Sequence, residues 1–457
     1  MSNEFFSLTS KIKKVSENSP VLIFKDAACV VTMQCYESDN LDPSSLLWLG
    51  IKKDVDVVIK NGRVFSIEKN SSEQFLQDKN AEIIDARKLT IMPGLIDAHT
   101  HPIYMGSRAN ETVLKSQGLN YEEIAAKGGG ISVSTQLTRN ATDAELESCF
   151  VKNATLALSR GVVLLEAKSG YGLNPAQELR LLKIICDTAY KAKNSGALLP
   201  LLAPTLLGPH AESPDYKGLD SYIQALVECL SQYAEAAKKA VSFGACLPLA
   251  ADIFIERGYF SREHGEKWLG AALQHGLDVH IHADEFSRSG GCELGIALAK
   301  KAEQSGIRRN KPGRVLSVDH CQYATEQDLS RLAHLGVATV ILPSTSFFSN
   351  IPFVEAKKIR ATGIRAAIAS DFNPGSSPLN NIWFSAYLAL TRCGFSMPEV
   401  YRGITCNAAY ALAAEENFGT LKIGKLAHLI AFEGTMPEDL FQSPMGDHLQ
   451  LVVTYGK

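Results

Sequence analysis

The apolar positions of this 457-residue chain fall into short runs separated by amphipathic stretches. Eight runs stand out, at residues 91–101, 162–168, 199–210, 247–256, 279–282, 315–320, 337–343 and 366–371. Most are rich in Val, Ile and Leu without strict alternation, the pattern of strands buried on both faces. Between them, apolar residues recur at helical spacing over 176–194, 221–241, 261–275, 293–303 and 325–334. Thr142-Asp143-Ala144-Glu145 is a capping-box sequence, and the periodic run behind it ends at Gly161. Eight strands alternating with helices predict an α/β fold, a (β/α)8 TIM-type barrel over residues 91–414.

The flanking segments read differently. Val21-Leu22-Ile23-Phe24 and Val55-Asp56-Val57-Val58-Ile59 are strand-like, and Lys60-Asn61-Gly62-Arg63 turns the second into Val64-Phe65-Ser66-Ile67 as a hairpin. Residues 70–80 are polar and read as a loop. A similar β pattern at 419–432 predicts that residues 1–90 and 415–457 combine into one small β-sandwich-like domain built from both chain termini.

In a barrel of this kind catalytic residues sit at the C-terminal ends of the strands. Those ends carry His99 and His101, then Lys168-Ser169-Gly170-Tyr171-Gly172, then Gly208-Pro209-His210. Further on come His280-Ile281-His282-Ala283-Asp284-Glu285, Asp319-His320 and Ser370-Asp371-Phe372-Asn373-Pro374-Gly375. Alternate side chains of a strand share a face, so His99 and His101 point together. One polar residue at a strand end is ordinarily a cap or a satisfied core group. Five strands of eight converging on His and Asp point instead to a metal held by imidazole nitrogens and a carboxylate.

Charge and composition narrow the field. With 46 Lys+Arg against 49 Asp+Glu the net charge is -3, which leaves no electrostatic footprint for nucleic acid or an anionic membrane. No apolar run reaches a membrane span, and the polar start lacks a signal-peptide core. The ten cysteines are scattered without a C-x-x-C pair, which argues against a zinc ribbon or disulfide framework and for a reduced, cytoplasmic protein. The glycines of Lys127-Gly128-Gly129-Gly130 lack the order of a phosphate loop, so nucleotide binding is set aside. Residues 127–131 read instead as a loop over the mouth of the site.

At these residues the chain resembles a known family. His99-Thr100-His101 after Pro93-Gly94, a later strand-end His, another His and a final Asp are similar to the amidohydrolase superfamily of metal-dependent hydrolases. Gly106-Ser107-Arg108, Lys168-Ser169-Gly170-Tyr171-Gly172-Leu173, Leu207-Gly208-Pro209-His210, His282-Ala283-Asp284-Glu285 and Asp371-Phe372-Asn373-Pro374-Gly375-Ser376 narrow the resemblance to the imidazolonepropionases of histidine degradation. The resemblance covers nearly the whole chain.

It implies metal ligands His99, His101, His282 and Asp371, which would hold one divalent ion, Zn2+ or Fe2+ with Fe3+ possible. Glu285 and His320 would move protons and polarise the substrate, with Asp371 counted among the catalytic groups as well. Arg108 is the candidate to grip a substrate carboxylate, because a guanidinium pairs with carboxylates in two-point fashion. Tyr121, Tyr171, His210, Glu285, Asn373, Gly375 and Ser376 are implied substrate contacts, with the glycine also explicable as a turn needing positive φ. His280 reads as a hydrogen-bonding residue of the barrel interior. Lysines like Lys168 can be carboxylated and bridge two metals in other amidohydrolases, but its context implies one metal per chain. The implied reaction opens the ring of 4-imidazolone-5-propanoate to N-formimino-L-glutamate. The alternative is another amidohydrolase, acting on a cyclic amide or amidine or deaminating a nucleobase-like ring. Partners are limited to the small-molecule substrate and a second copy, a homodimer being the commonest oligomer. Two departures from the family pattern are a basic, polar run at 300–313 and His428 where an acidic residue is usual.

Overall fold

A computed structural model describes residues 9–34, 42, 44–119, 123, 128–305 and 312–456. Tyr121, Lys127 and part of the basic run, 306–311, lie outside the described residues.

Eight parallel strands form one sheet in sequential order: β1 (Leu95–Asp97), β2 (Val162–Lys168), β3 (Leu201–Leu206), β4 (Ala250–Ala251, continued as Phe254–Ile255), β5 (Asp278–Ala283), β6 (Val315–His320), β7 (Ala338–Ile341) and β8 (Ala366–Ile368). The sheet closes just past its last strand. Thr100 bridges Phe372 in parallel, His101 N–H donates to the Phe372 carbonyl at 2.8 Å, and Asp371 N–H donates to the His99 carbonyl at 3.0 Å. All seven residues of β2 are buried, as a strand covered on both faces requires. Helices pack outside, among them Asp143–Ser159, which opens on the Thr142–Glu145 capping box. Among the described residues no helix is long and apolar enough to cross a membrane.

Both chain ends meet in two further sheets. The larger runs Ile12–Val15, Leu449–Tyr455, Leu429–Glu433, Leu89–Pro93, Cys29–Val31, Ile51–Lys52; the smaller runs Arg63–Glu68, Val55–Lys60, Leu22–Ala27, Glu82–Asp85. Leu22, Phe24, Val57 and Ile59 from one sheet and Ile91, Leu429, Ala431 and Val453 from the other share a buried apolar core. The barrel thus carries a small β-sandwich drawn from both termini.

Two elements differ from the pattern read along the chain. The apolar run 91–101 is one stretch in sequence but two strands in space: Leu89–Pro93 belongs to the sandwich and β1 to the barrel. Gly94 is the joint, where a Cβ would fall 2.6 Å from the Val163 methyls, so only a bare backbone passes there. The helical run 221–241 divides into Leu219–Glu228 and Leu230–Ser242. Both halves have the same periodicity, which hides the change of axis at Cys229.

Candidate active site

The C-terminal rim of the barrel gathers the polar strand ends. His99 and His101 lie in the extended segment just past β1, His282 on β5, His320 at the end of β6, and Asp371 just past β8. Parallel register brings them level: His282 sits opposite Asp319, and Ala283 opposite His320. All five residues are buried, none more than 3% exposed.

The distances suit a single small cation. His99 Nε2 is 3.0 Å from His282 Nε2, which is 3.4 Å from His101 Nε2. Asp371 Oδ1 is 3.3 Å from His101 Nε2 and 3.6 Å from His99 Nε2. Four donors placed tetrahedrally at about 2.1 Å from one ion would lie about 3.4 Å apart. The protonation pattern agrees. His99 Nδ1 faces Asp319 Oδ2 at 2.7 Å and His282 Nδ1 faces Asp252 Oδ2 at 2.9 Å. For His99 the hydrogen bond at Nδ1 places the imidazole proton there and leaves its Nε2 lone pair pointing at the other two imidazoles, and the Asp252 carboxylate beside His282 Nδ1 favours the same tautomer electrostatically. Burial, with the positive charge of Lys168 and the neighbouring histidines, holds His99 well below the usual histidine range. Converging lone pairs with no proton between them fit a divalent cation, and these four residues are the ones that would hold it.

Around this centre the remaining groups form a cleft. His210 lies with its ring 5.2 Å from that of His101, nearly parallel, and its Nδ1–H donates to the Gly170 carbonyl at 2.9 Å. Burial keeps it neutral, well below its ordinary value. Tyr171 stands edge-on to His210 at 5.6 Å. Glu285 is buried, and burial together with the charges of Asp371 and Glu256 pushes its carboxyl well above the usual range. His320 is pushed down to about 3, chiefly by burial, and its Nδ1 lies 3.7 Å from Glu285 Oε1. Burial alone would raise the Asp371 carboxyl, but its neighbours His101 and His320 and the Thr345 hydroxyl outweigh it and hold it low. Thr345 Oγ1 donates to Asp371 Oδ2 at 2.5 Å.

Arg108 lines the same cleft as His101, His210, His282 and His320. Its Nε and Nη2 donate to Glu111 Oε1 and Oε2 at 2.8 and 2.7 Å, both side chains being buried. Gly375 lies against the far side of the guanidinium, where a Cβ would collide with Nη1 and Cζ. Its φ is not left-handed, so the glycine serves close approach and not a positive-φ turn. Asn373 also lines the cleft, but its side chain organises its own loop. Its Oδ1 accepts from the N–H groups of Gly375 and Ser376 at 2.8 Å each, and its Nδ2 donates to the Asp371 carbonyl and to Ser376 Oγ. His280 is buried away from the cleft with Nδ1 2.8 Å from Ser317 Oγ. Non-glycine residues at positive φ cluster on this rim: Leu173, Asp284, His320, Cys321 and Asp371. Strained backbone of about 1–3 kcal/mol per residue is tolerated where surrounding structure fixes a functional geometry.

The sequence pattern left several participants unassigned. Asp319 was visible as a strand end but had no role; Asp252 shows only as an acid interrupting the apolar run 247–256. Glu111 stands three residues from Arg108, a local i,i+3 spacing that could have flagged the pair, whereas Thr345 carries no local signal, since its partner Asp371 is 26 residues away.

Comparisons with known proteins bear on the family and the fold. The Amidohydrolase family pattern matches residues 243–455. An imidazolonepropionase of Bdellovibrio bacteriovorus is 32% identical over 387 residues, 84% of each chain. One of Sphingopyxis alaskensis is 34% identical over 396 residues, covering 86% of this chain and 89% of that protein. Among solved structures, a triazine hydrolase variant superposes with TM-score 0.67 at 16% identity, covering 95% of this chain and 93% of that one. A zinc-bound adenosine deaminase of Xanthomonas campestris gives TM-score 0.62 at 14% identity, with 96% and 92% covered. These structures share the fold. The curated relatives extend over most of both chains, and on that ground this chain belongs to the imidazolonepropionase family of amidohydrolases.

Proposed function

We propose that this protein hydrolyses 4-imidazolone-5-propanoate to N-formimino-L-glutamate, using one divalent metal ion held by His99, His101, His282 and Asp371. The observation that carries the reading is that Arg108 lines the same cleft as His101, His282 and Asp371 of that donor set. A metal centre alone suits any amidohydrolase, including a deaminase of a neutral ring. A buried arginine facing it suits a ring with a carboxylate tail.

When bound, the divalent ion supplies Lewis acidity, lowering the pKa of a water and polarising a carbonyl. The chain does the rest. Arg108 receives the propionate and thereby sets the ring over the histidines. Tyr171 and His210 wall the ring from the side. Water adds its oxygen to the ring carbonyl carbon and the ring C–N bond breaks. The Glu285 carboxylate takes the proton of the attacking water and, as the carboxylic acid so formed, returns it to the leaving nitrogen, a role for which a raised pKa is suited. Neutral His320 polarises the carbonyl oxygen as charge develops on it. The Asn373–Ser376 loop borders the end of the substrate that becomes formimino-glutamate. Three imidazoles and a carboxylate suit Zn2+ or Fe2+, with Fe3+ the oxidised alternative. The same reading has a small-molecule substrate, a cytoplasmic homodimer, and a division of the chain into 91–414 and a composite of 1–90 with 415–457.

The test is elemental analysis of the purified protein with a ring-opening assay on imidazolone propionate, before and after chelation. Activity is expected to vanish with the ion and return with its replacement. Arg108→Met is expected to raise KM for the propionate substrate at least tenfold. A protein that retains its ion and leaves imidazolone propionate intact overturns the reading.

A further inference from the structure

Next to the converging donors lies a circuit of neighbouring buried polar groups, hydrogen-bonded over part of its length. From His99 Nδ1 it passes to Asp319 at 2.7 Å, to Ser317 Oγ at 2.5 Å and to His280 Nδ1 at 2.8 Å. His280 Nε2 stands 3.8 Å from Glu166 Oε1, which is 2.7 Å from Lys168 Nζ. Lys168 Nζ is 2.8 Å from Asp252 Oδ2, and that same oxygen is 2.9 Å from His282 Nδ1. The 3.0 Å gap between His282 and His99 Nε2 completes the ring. Lys168 is entirely buried, as are Glu166, Asp252 and Asp319.

Three carboxyl groups in so dry a place need a cation, because an unpaired buried charge is expelled or neutralised. Lys168 is that cation, and its ammonium divides its hydrogen bonds between Glu166 and Asp252. Asp252 is saturated on its other side: Oδ1 accepts from the N–H of Ile253 at 2.7 Å and of His282 at 3.3 Å. Oδ2 is therefore held between the lysine ammonium and the His282 ring. A carboxylated Lys168 would set a third anion beside Glu166 and Asp252, where nothing in the circuit offsets it.

We propose that Lys168 is a positioning residue for the metal centre: its ammonium fixes Asp252, and through Asp252 the Nδ1–H tautomer and ring orientation of His282. This rests on the ligand reading above. Partners that orient a metal-bound histidine typically change metal affinity 10- to 100-fold when removed.

The test uses metal-depleted full-length protein and Zn2+ as the probe, with its dissociation constant measured by competition against a chelating dye. Lys168→Met is expected to weaken Zn2+ binding about 10- to 100-fold, while the surface variant Lys191→Met binds as the parent does. Histidine side-chain 15N shifts of the parent protein are expected to show His282 protonated at Nδ1, and Lys168→Met to move that proton toward Nε2. Lys168→Met binding Zn2+ within twofold of the parent overturns the proposal and leaves the ligand reading standing. A parent His282 protonated at Nε2 overturns it too, whether or not the variant folds. A parent protein that binds no Zn2+ overturns the ligand reading itself, and the proposal with it.

Discussion

Gly375→Ala is a small change with a large expected effect, because it strikes a guanidinium that has nowhere to go. The far end of an arginine ordinarily swings aside from an added methyl. Arg108 is pinned on its other edge by two charge-assisted bonds to buried Glu111, and Glu111 Oε1 is itself held by Gly130 N–H at 2.8 Å. Leaving Glu111 forfeits bonds worth about 1.5–3 kcal/mol each. Staying puts the new Cβ into collision with Nη1 and Cζ and 2.8 Å from Nη2. Since φ at 375 is not left-handed, alanine's backbone is tolerated and the damage falls on Arg108. If the displaced guanidinium loses one charge-assisted bond to the substrate carboxylate, about 1.5–3 kcal/mol, KM rises about 10- to 100-fold. Loss of binding shared by ground and transition states leaves kcat nearly unchanged. Steady-state ring-opening kinetics measure both constants, and a thermal melt checks that the fold is intact. Adding Gly375→Ala to Arg108→Met should change nothing further. A Gly375→Ala enzyme with KM within threefold of the parent would refute the pinning.

Two further outcomes are expected elsewhere. Glu285→Gln should lower kcat about 10²- to 10⁴-fold, the usual worth of a general acid–base, with KM little changed; equal kcat in the two proteins would remove Glu285 from the proton path. His428 is buried, stacked on Phe418 with ring centroids 4.4 Å apart, and burial pushes it down to about 3 from 6.5. A lowered histidine stabilises the fold only while neutral, so its contribution is full above about pH 6.5 and is lost as pH falls toward 3. Between pH 7 and 5 that amounts to about 2 kcal/mol. Urea unfolding at the two pH values should therefore show the parent losing about 2 kcal/mol more than His428→Gln, and parallel losses would contradict the sign.

The site was legible in the sequence to the extent that chemistry follows position along a strand. The run Val315–His320 announces a buried strand, and a barrel strand's last residues face the rim, so His320 and Asp371 were placed by counting alone. Gly375 shows where such reading ends: glycine has several uses, and whether it serves a turn or makes room for a neighbour depends on a guanidinium from 267 residues away in the chain. The same holds for Asn373, whose amide is occupied by the loop it stands in.

Hydrophobic period, strand-end residue types and short turn motifs are local quantities, so the alternating strands and helices and the barrel follow from the chain order, while the choice of His99, His101, His282 and Asp371 among the strand-end residues comes from the family resemblance. Partners that come from distant strands are not local. Asp252 and Asp319 stand at the Nδ1 atoms of His282 and His99, Asp252 reaches Lys168 from 84 residues away, and Thr345 reaches Asp371, all in a dry interior. The tertiary structure alone decides these, because a buried charge takes its protonation and direction from whatever packing sets beside it. The parting of residues 91–101 between two sheets at Gly94 has the same origin. Backbone that reads as one strand is divided by what Val163 leaves room for.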